Sequence, residues 1–201
     1  MLKEIRPAIV LLLGLTVITG VIYPLGMTAV SALIFPTQAE GSLIERDGKV
    51  IGSSLIGQEF TTDGYFHSRP SATLGPDPKD ATKTVPQPYN AINSMGSNLG
   101  PTSKALIDRV TEDTDKLKAE NPAMPVPIDL VTSSGSGLDP NISPEGALFQ
   151  VPRVAKARKL TEERVRQLVA EKTEGRFIGL LGEPRVNVLA LNLALDAAAP
   201  K

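Results

Sequence analysis

Hydrophobic and polar positions are unevenly distributed along this chain. Pro7 to Gln38 contains no charged residue, and within it Ala8–Phe35 reads AIVLLLGLTVITGVIYPLGMTAVSALIF. A helix of about 20 apolar residues crosses the hydrocarbon layer of a bilayer, and this run exceeds that. No second such run follows. The pattern predicts a short tail over 1–6, one transmembrane helix over 7–35, and one mixed α/β domain over 36–201. The expected fold class is α+β, with that domain extracytoplasmic. A cleaved secretory signal is the alternative reading, with Lys3 and Arg6 as its basic start and Thr28–Ala32 as small residues suited to cleavage. Signal cores span only about 7–15 apolar residues, so the run reads as a retained anchor. Pro24 and the glycines at 14, 20 and 26 are tolerated in membrane helices, and Pro24 is a candidate kink. Lys3 and Arg6 outweigh Glu4 before the run, and Glu40 is the first charge after it, which puts the N-terminus in the cytoplasm. A single helix forms neither a pore nor an alternating-access transporter by itself.

Beyond the run the periods shorten. Ser42–Arg46 and Lys49–Ser53 flank Asp47-Gly48, a pair suited to a type I′ turn, so a β-hairpin is expected, with Leu55, Ile56 and Phe60 extending its sheet. Phe66–Asn98 is rich in Pro, Gly, Ser and Asn without a period and reads as one long ordered or semi-ordered loop, of the kind that is usually functional or disordered. A helix is predicted over Lys104–Glu120, stopped by Asn121-Pro122. A strand is predicted over Val126–Thr132, then a small-residue bend over Ser133–Gly137. Ser143-Pro144-Glu145 opens a helix that Pro152 should interrupt or restart. Thr161 opens another, with Val165, Leu168 and Val169 facing a core and Gly175 suiting its C-terminal end. Residues 186–195 fit period two or a helix; a short strand at Val186–Val188 followed by a helix is the reading adopted, with a frayed tail from Ala197.

Composition narrows the chemistry. The 201 residues carry a net charge of −1, so no global field points to nucleic acid. Cysteine is absent, which removes disulfides, thiolate catalysis and Cys-ligated metals. There is no GxxxxGK[ST] loop, no GxGxxG and no HExxH, and His67 is the one histidine. In Tyr65-Phe66-His67-Ser68-Arg69-Pro70 that histidine reads first as a hydrogen-bonded packing residue, because no nucleophile and orienting group accompany it. Arg69 either holds a carboxylate or satisfies loop carbonyls. Leu130–Glu145 joins a strand pattern, a Gly/Ser bend and a helix start. That arrangement either presents backbone N–H groups to an anion or simply turns the chain, with Asp139, Asn141 and Ser143 as caps. Its spacing lacks the glycine and final acid of an EF-hand. Arg153, Lys156, Arg158, Lys159, Arg164 and Arg166, interleaved with acids, read as a solvated helix surface, or as a contact for an acidic partner.

Ordered blocks across the chain carry a resemblance. They are Ile5-Arg6-Pro7-Ala8, Thr19–Pro24, Gly41–Ile44, Leu55–Gln58, Gly64–Ala72, Gly96–Leu99, Ser136–Asp139, Gln150–Arg158 and Leu191–Asp196. Together they resemble the KdpC family, the C subunits of bacterial Kdp-type potassium-transporting ATPases. Ala190 departs from an acidic residue expected there. The resemblance implies a non-catalytic, single-pass inner-membrane subunit without a cofactor of its own. Its partners would be the channel-like A subunit, the P-type ATPase B subunit and the small F subunit. It further implies a catalytic chaperone that raises the ATPase subunit's affinity for ATP, through a ternary complex with ATP. In that comparison Ser136, Gly137 and Gln150 are the nucleotide candidates, by likeness to an ABC-type signature loop. With the domain outside the cytoplasm, an effect on ATP would have to be transmitted through the complex. The competing reading is a membrane-anchored extracytoplasmic enzyme or small-ligand binder using His67, Arg69 and the 133–143 loop.

Overall fold

The computed structural model describes residues 2–198, which divide into two compact units at Ser53/Ser54. The expected frayed tail beyond residue 198 lies outside the described residues, and Ala197 and Ala198 are helical. In the first unit one apolar helical stretch, long enough to cross a membrane, runs from Ile5 to Ile34 with none of its residues buried. It consists of α1 (Ile5–Val17), a π-helical turn (Ile18–Ile22) and α2 (Tyr23–Ile34). The wide turn ends two residues before Pro24, whose ring crowds the carbonyl four residues back and which lacks an N–H. After a short α3 (Pro36–Ala39), β1 (Leu43–Arg46) and β2 (Lys49–Ser53) pair antiparallel. Asp47 and Gly48 take φ of 53° and 73°, the positive pair that the expected tight turn needs. Leu55, Ile56 and Phe60 do not extend this hairpin. They belong to the second unit, where the Gly57 N–H donates to the Leu138 carbonyl (2.8 Å) and Phe60 packs on the core.

That core lies among α5 (Pro144–Arg158), α6 (Glu162–Lys172), α7 (Val188–Ala198) and a small antiparallel sheet. The sheet has the order β5 (Asn141–Ile142), β7 (Arg185–Asn187), β6 (Thr173–Glu174). Phe66, Phe149, Val151, Val154, Val165, Val186, Leu191 and Leu195 are fully buried in it. At the start of α5 the Ser143 hydroxyl accepts from the Gly146 N–H (2.9 Å), while Asp129 accepts from the Ser143 N–H (2.7 Å). α5 runs unbroken through Pro152, contrary to the expected interruption. An interior proline costs a helix about 3 kcal/mol. Here buried Phe149 and Val151 before it, and Val154 and Ala155 after it, hold the axis. Thr161 caps α6 by accepting from the Arg164 N–H (3.2 Å). Gly175 does not end that helix, because the chain already turns extended at Thr173 to enter β6.

Val126–Thr132 forms a 3-10 turn at Ile128–Leu130 instead of a strand. Pro125 and Pro127 remove two ladder donors, and the Leu130 N–H bonds back to the Pro127 carbonyl (3.2 Å). Two features divide the long 66–98 segment. One is a second hairpin, β3 (Leu74–Asp77) against β4 (Asp80–Pro86), which Pro76 concealed from the strand pattern. The other is a polar knot. The Thr73 hydroxyl donates to the Gln87 carbonyl (2.6 Å), and the Ser71 hydroxyl donates to the Gly137 carbonyl (2.8 Å). α4 (Lys104–Glu120) has the predicted bounds.

Candidate functional site

The segment around His67 has no regular structure, yet side chains satisfy every one of five successive carbonyls. Arg153 donates to the carbonyls of Asp63 (2.7 Å) and Tyr65 (2.9 Å), and Arg158 to that of Gly64 (2.7 Å). Asn192 accepts from the Phe66 N–H (2.9 Å) and donates to the Phe66 carbonyl (3.0 Å). Gln150 does the same for His67, at 2.7 and 3.1 Å. Each buried carboxamide thus acts as a one-residue strand partner, which keeps buried backbone groups satisfied. Arg158 also pairs with Asp196 (2.8 Å) and stacks over the Tyr65 ring at 4.3 Å, and the Tyr65 hydroxyl donates to Asp196 (3.0 Å). The expectation of a solvated basic surface therefore fails at Arg153 and Arg158, which turn inward onto the 63–67 backbone. It holds at Lys156, Lys159 and Arg164, which are exposed.

The sequence pattern points to neither Asn192 nor Asp196 as a functional position, and it gives Arg153 and Arg158 only as part of a basic surface. The sequence does hold one signal for Asn192, which interrupts an apolar run from Val188 to Leu195. An uncharged polar residue at a core position of a helix requires a buried partner.

His67, Arg69 and Gln150 line one open cleft of about 770 Å³, with Phe60, Tyr89 and Lys116. The His67 Nε2 lies 3.1 Å from the Thr62 carbonyl, so this nitrogen carries the proton and donates. Burial, then the Arg153 cation, holds the imidazole below its ordinary pKa and keeps it neutral near pH 7. Arg69 fills both of its expected roles: it pairs with the Asp139 carboxylate (3.0 Å) and donates to the Thr132 loop carbonyl (3.4 Å). Behind it the Tyr89 hydroxyl donates to the Arg69 carbonyl (2.7 Å), and burial pushes that phenol up to about 12.

Ser136 lines a neighbouring cleft with Ser133, Ser134 and Asp139, and Arg69 borders both clefts. In the bend, Ser134 accepts from the Gly137 N–H (2.9 Å) and Ser136 from the Leu138 N–H (3.1 Å). Gly137 has φ +67°, and a Cβ there would meet the Met95 carbonyl at 2.5 Å. The three nucleotide candidates thus separate. Ser136 and Gly137 sit in the bend, whereas Gln150 lies inside α5 with its amide engaged by His67, Gly146 and Arg153. Among the described residues no group of three or more His, Asp or Glu is placed to hold a metal ion.

A different kind of surface lies at the tip of the β6–β7 connection. Phe177, Ile178, Leu180 and Leu181 are each more than 60 % exposed on a closed turn, with Phe177 and Leu181 exchanging backbone hydrogen bonds. Arg176 and Glu183 pair at its base (2.7 Å).

One apolar helix long enough to cross a membrane and without buried residues, followed by an α+β unit whose buried polar groups mostly hold its own backbone, is the arrangement of a candidate single-span membrane protein. Comparison with known proteins narrows the class. The family described as "KdpC: K+-transporting ATPase, c chain" matches residues 5–197. A Potassium-transporting ATPase KdpC subunit of Bradyrhizobium diazoefficiens is 74 % identical over 201 residues, covering both chains completely. One from Rhodopseudomonas palustris is 74 % identical over 198 residues, covering 98 % of this chain and all of its own. One from Methylobacterium nodulans is 67 % identical over 201 residues, again covering both in full. The chain belongs to the KdpC family.

Proposed function

We propose that this chain is an assembly and regulatory subunit of an ATP-driven potassium import complex in the bacterial inner membrane. The observation that carries the reading is the reach of the family match, residues 5–197, which takes in the span and the folded domain together. The partners are the channel-like A subunit, the P-type ATPase B subunit and the small F subunit. Potassium passage and phosphoryl transfer belong to A and B. Residues 1–6 lie in the cytoplasm, 7–35 cross the membrane, and 36–201 form the extracytoplasmic domain. The hydrogen-bonded apolar tip at Phe177–Leu181 supports docking, since clustered exposed apolar residues mark interaction surfaces.

The chain raises the ATPase subunit's affinity for ATP by favouring one conformation of the complex. Ser136, Gly137 and Gln150 act on nucleotide affinity indirectly, as supports of the domain. The engagement of the Gln150 amide with His67 and Gly146 speaks for that version over direct contact.

Removing residues 54–198 should abolish co-purification with the transport subunits and high-affinity potassium uptake; uptake left intact would sink the reading. Orientation is tested by Thr102→Cys in this cysteine-free chain, at an exposed position. An impermeant maleimide should label it from outside the cell. Labelling only from the cytoplasmic side would reverse the topology and restore direct contact with ATP.

A further inference from the structure

The span contains a gap in its own hydrogen bonding. At the π-helical turn the Tyr23 N–H bonds to the Ile18 carbonyl, five residues back. The next nitrogen belongs to Pro24 and carries no hydrogen. Its acceptor would be the Thr19 carbonyl in the π register and the Gly20 carbonyl in the α register. In either register a carbonyl stands opposite a missing donor. The neighbouring hydroxyl does not fill the gap, because Thr19 Oγ1 donates to the Leu15 carbonyl (2.7 Å). Gly20 leaves the place uncovered: a Cβ built there meets nothing within 4 Å.

Position makes this gap consequential. Residues 19 and 20 lie halfway along the 30-residue helix, at the depth where hydrocarbon supplies no water. An unpaired backbone group there costs several kcal/mol unless a neighbouring helix satisfies it. Farther along the span Thr28 likewise turns back onto the helix, donating to the Pro24 carbonyl (2.9 Å). The span therefore offers a backbone acceptor at its middle, and the hydroxyl of Thr19 at the same place is already engaged.

We propose that the Thr19–Gly20 carbonyls are the docking point of the span. The occupant is a transmembrane helix of another subunit that brings a neutral hydroxyl or carboxamide donor to the bilayer midplane. A lipid tail has no donor, and a charged donor would itself be expensive at that depth. The gap at Pro24 provides the acceptor, and Gly20 admits the close approach. This rests on the reading that the chain assembles with a potassium-transporting complex, and it names where and by what chemistry the span does so.

The test uses the full chain expressed with the transport subunits and measures co-purification in mild detergent together with potassium uptake. Pro24→Ala restores the missing N–H and favours the helix, so failure to fold does not confound it. Because it removes the free acceptor, recovery of the complex should fall roughly three- to thirtyfold, the range for one interhelical hydrogen bond. Gly20→Ile should cause a similar loss by blocking the approach, while Gly14→Ile, on the regular part of the helix, leaves recovery unchanged. Wild-type or higher recovery with Pro24→Ala overturns the proposal, as does an equal loss with Gly14→Ile and Gly20→Ile. If the unaltered chain fails to co-purify with the transport subunits, the reading beneath it fails instead.

Discussion

The span Ile5–Ile34 and the strap Asp63–His67 both remove backbone polar groups from bulk water, and they do so by opposite means. The helix pairs its backbone along the chain and leaves an acceptor opposite Pro24. The strap has no ladder of its own, and its five carbonyls are satisfied by side chains more than 80 residues away in sequence. The strap's carbonyls are all satisfied within the chain. The span is completed only by a neighbour. Damage to the strap should therefore unfold the domain, whereas damage at the span gap should disconnect it from partners without unfolding it.

The sharpest way to break the strap is at its carboxamides. Asn192→Leu keeps the side-chain volume but leaves both the Phe66 N–H and carbonyl buried without a partner. Two such losses should cost roughly 2–5 kcal/mol. Gln150→Leu should do the same through His67 and also release Arg153. Denaturant unfolding of the detergent-solubilised chain, followed by far-ultraviolet circular dichroism, measures both. Pro24→Ala should leave that transition in place. Equal shifts for Pro24→Ala and Asn192→Leu would erase the distinction between the two regions.

A smaller effect is expected where the bend is anchored. Gly137→Ala places a Cβ against the Met95 carbonyl and Thr73 Cγ2 in a left-handed conformation. Such a position costs a non-glycine residue about 1–3 kcal/mol. If Gly137 supports the domain without meeting nucleotide, the fall in apparent ATP affinity of the complex should track the fall in stability. ATP affinity lost at unchanged stability would argue for direct nucleotide contact instead.

How much of this was legible in the sequence follows the range of the interactions. The span, the Asp47-Gly48 hairpin, α4 and the Thr161 cap are local patterns, and each was read from neighbouring residues. The β3–β4 hairpin was hidden by Pro76, a residue that an exposed strand edge tolerates. Continuity of α5 through Pro152 depends on packing of Phe149 and Val154, which propensity does not contain. The strap was least legible. Arg153 and Arg158 look like surface cations until a chain segment some 90 residues earlier in sequence is laid beside them. Even so, Asn192 among leucines marked the place where a backbone had to be held.

The smallest effect sharpens the comparison through pH. His67 belongs to the strap, and its imidazole is neutral in the fold because burial, and then the Arg153 cation, disfavours the charged form. The Thr62 carbonyl, Glu120 and Asp63 oppose that shift without cancelling it. The folded pKa is thus below the unfolded value of about 6.5. The unfolded chain therefore binds a proton first as pH falls, so this contribution is complete above pH 6.5 and is lost on acidification through the folded pKa. Unfolding free energy measured between neutral and mildly acid pH should decline in the wild-type chain. His67→Gln, which cannot take up a proton, should decline less over that window, and the difference between the two curves isolates the imidazole from the carboxylates that titrate lower. Parallel curves would mean that the His67 ring stays solvated in the fold.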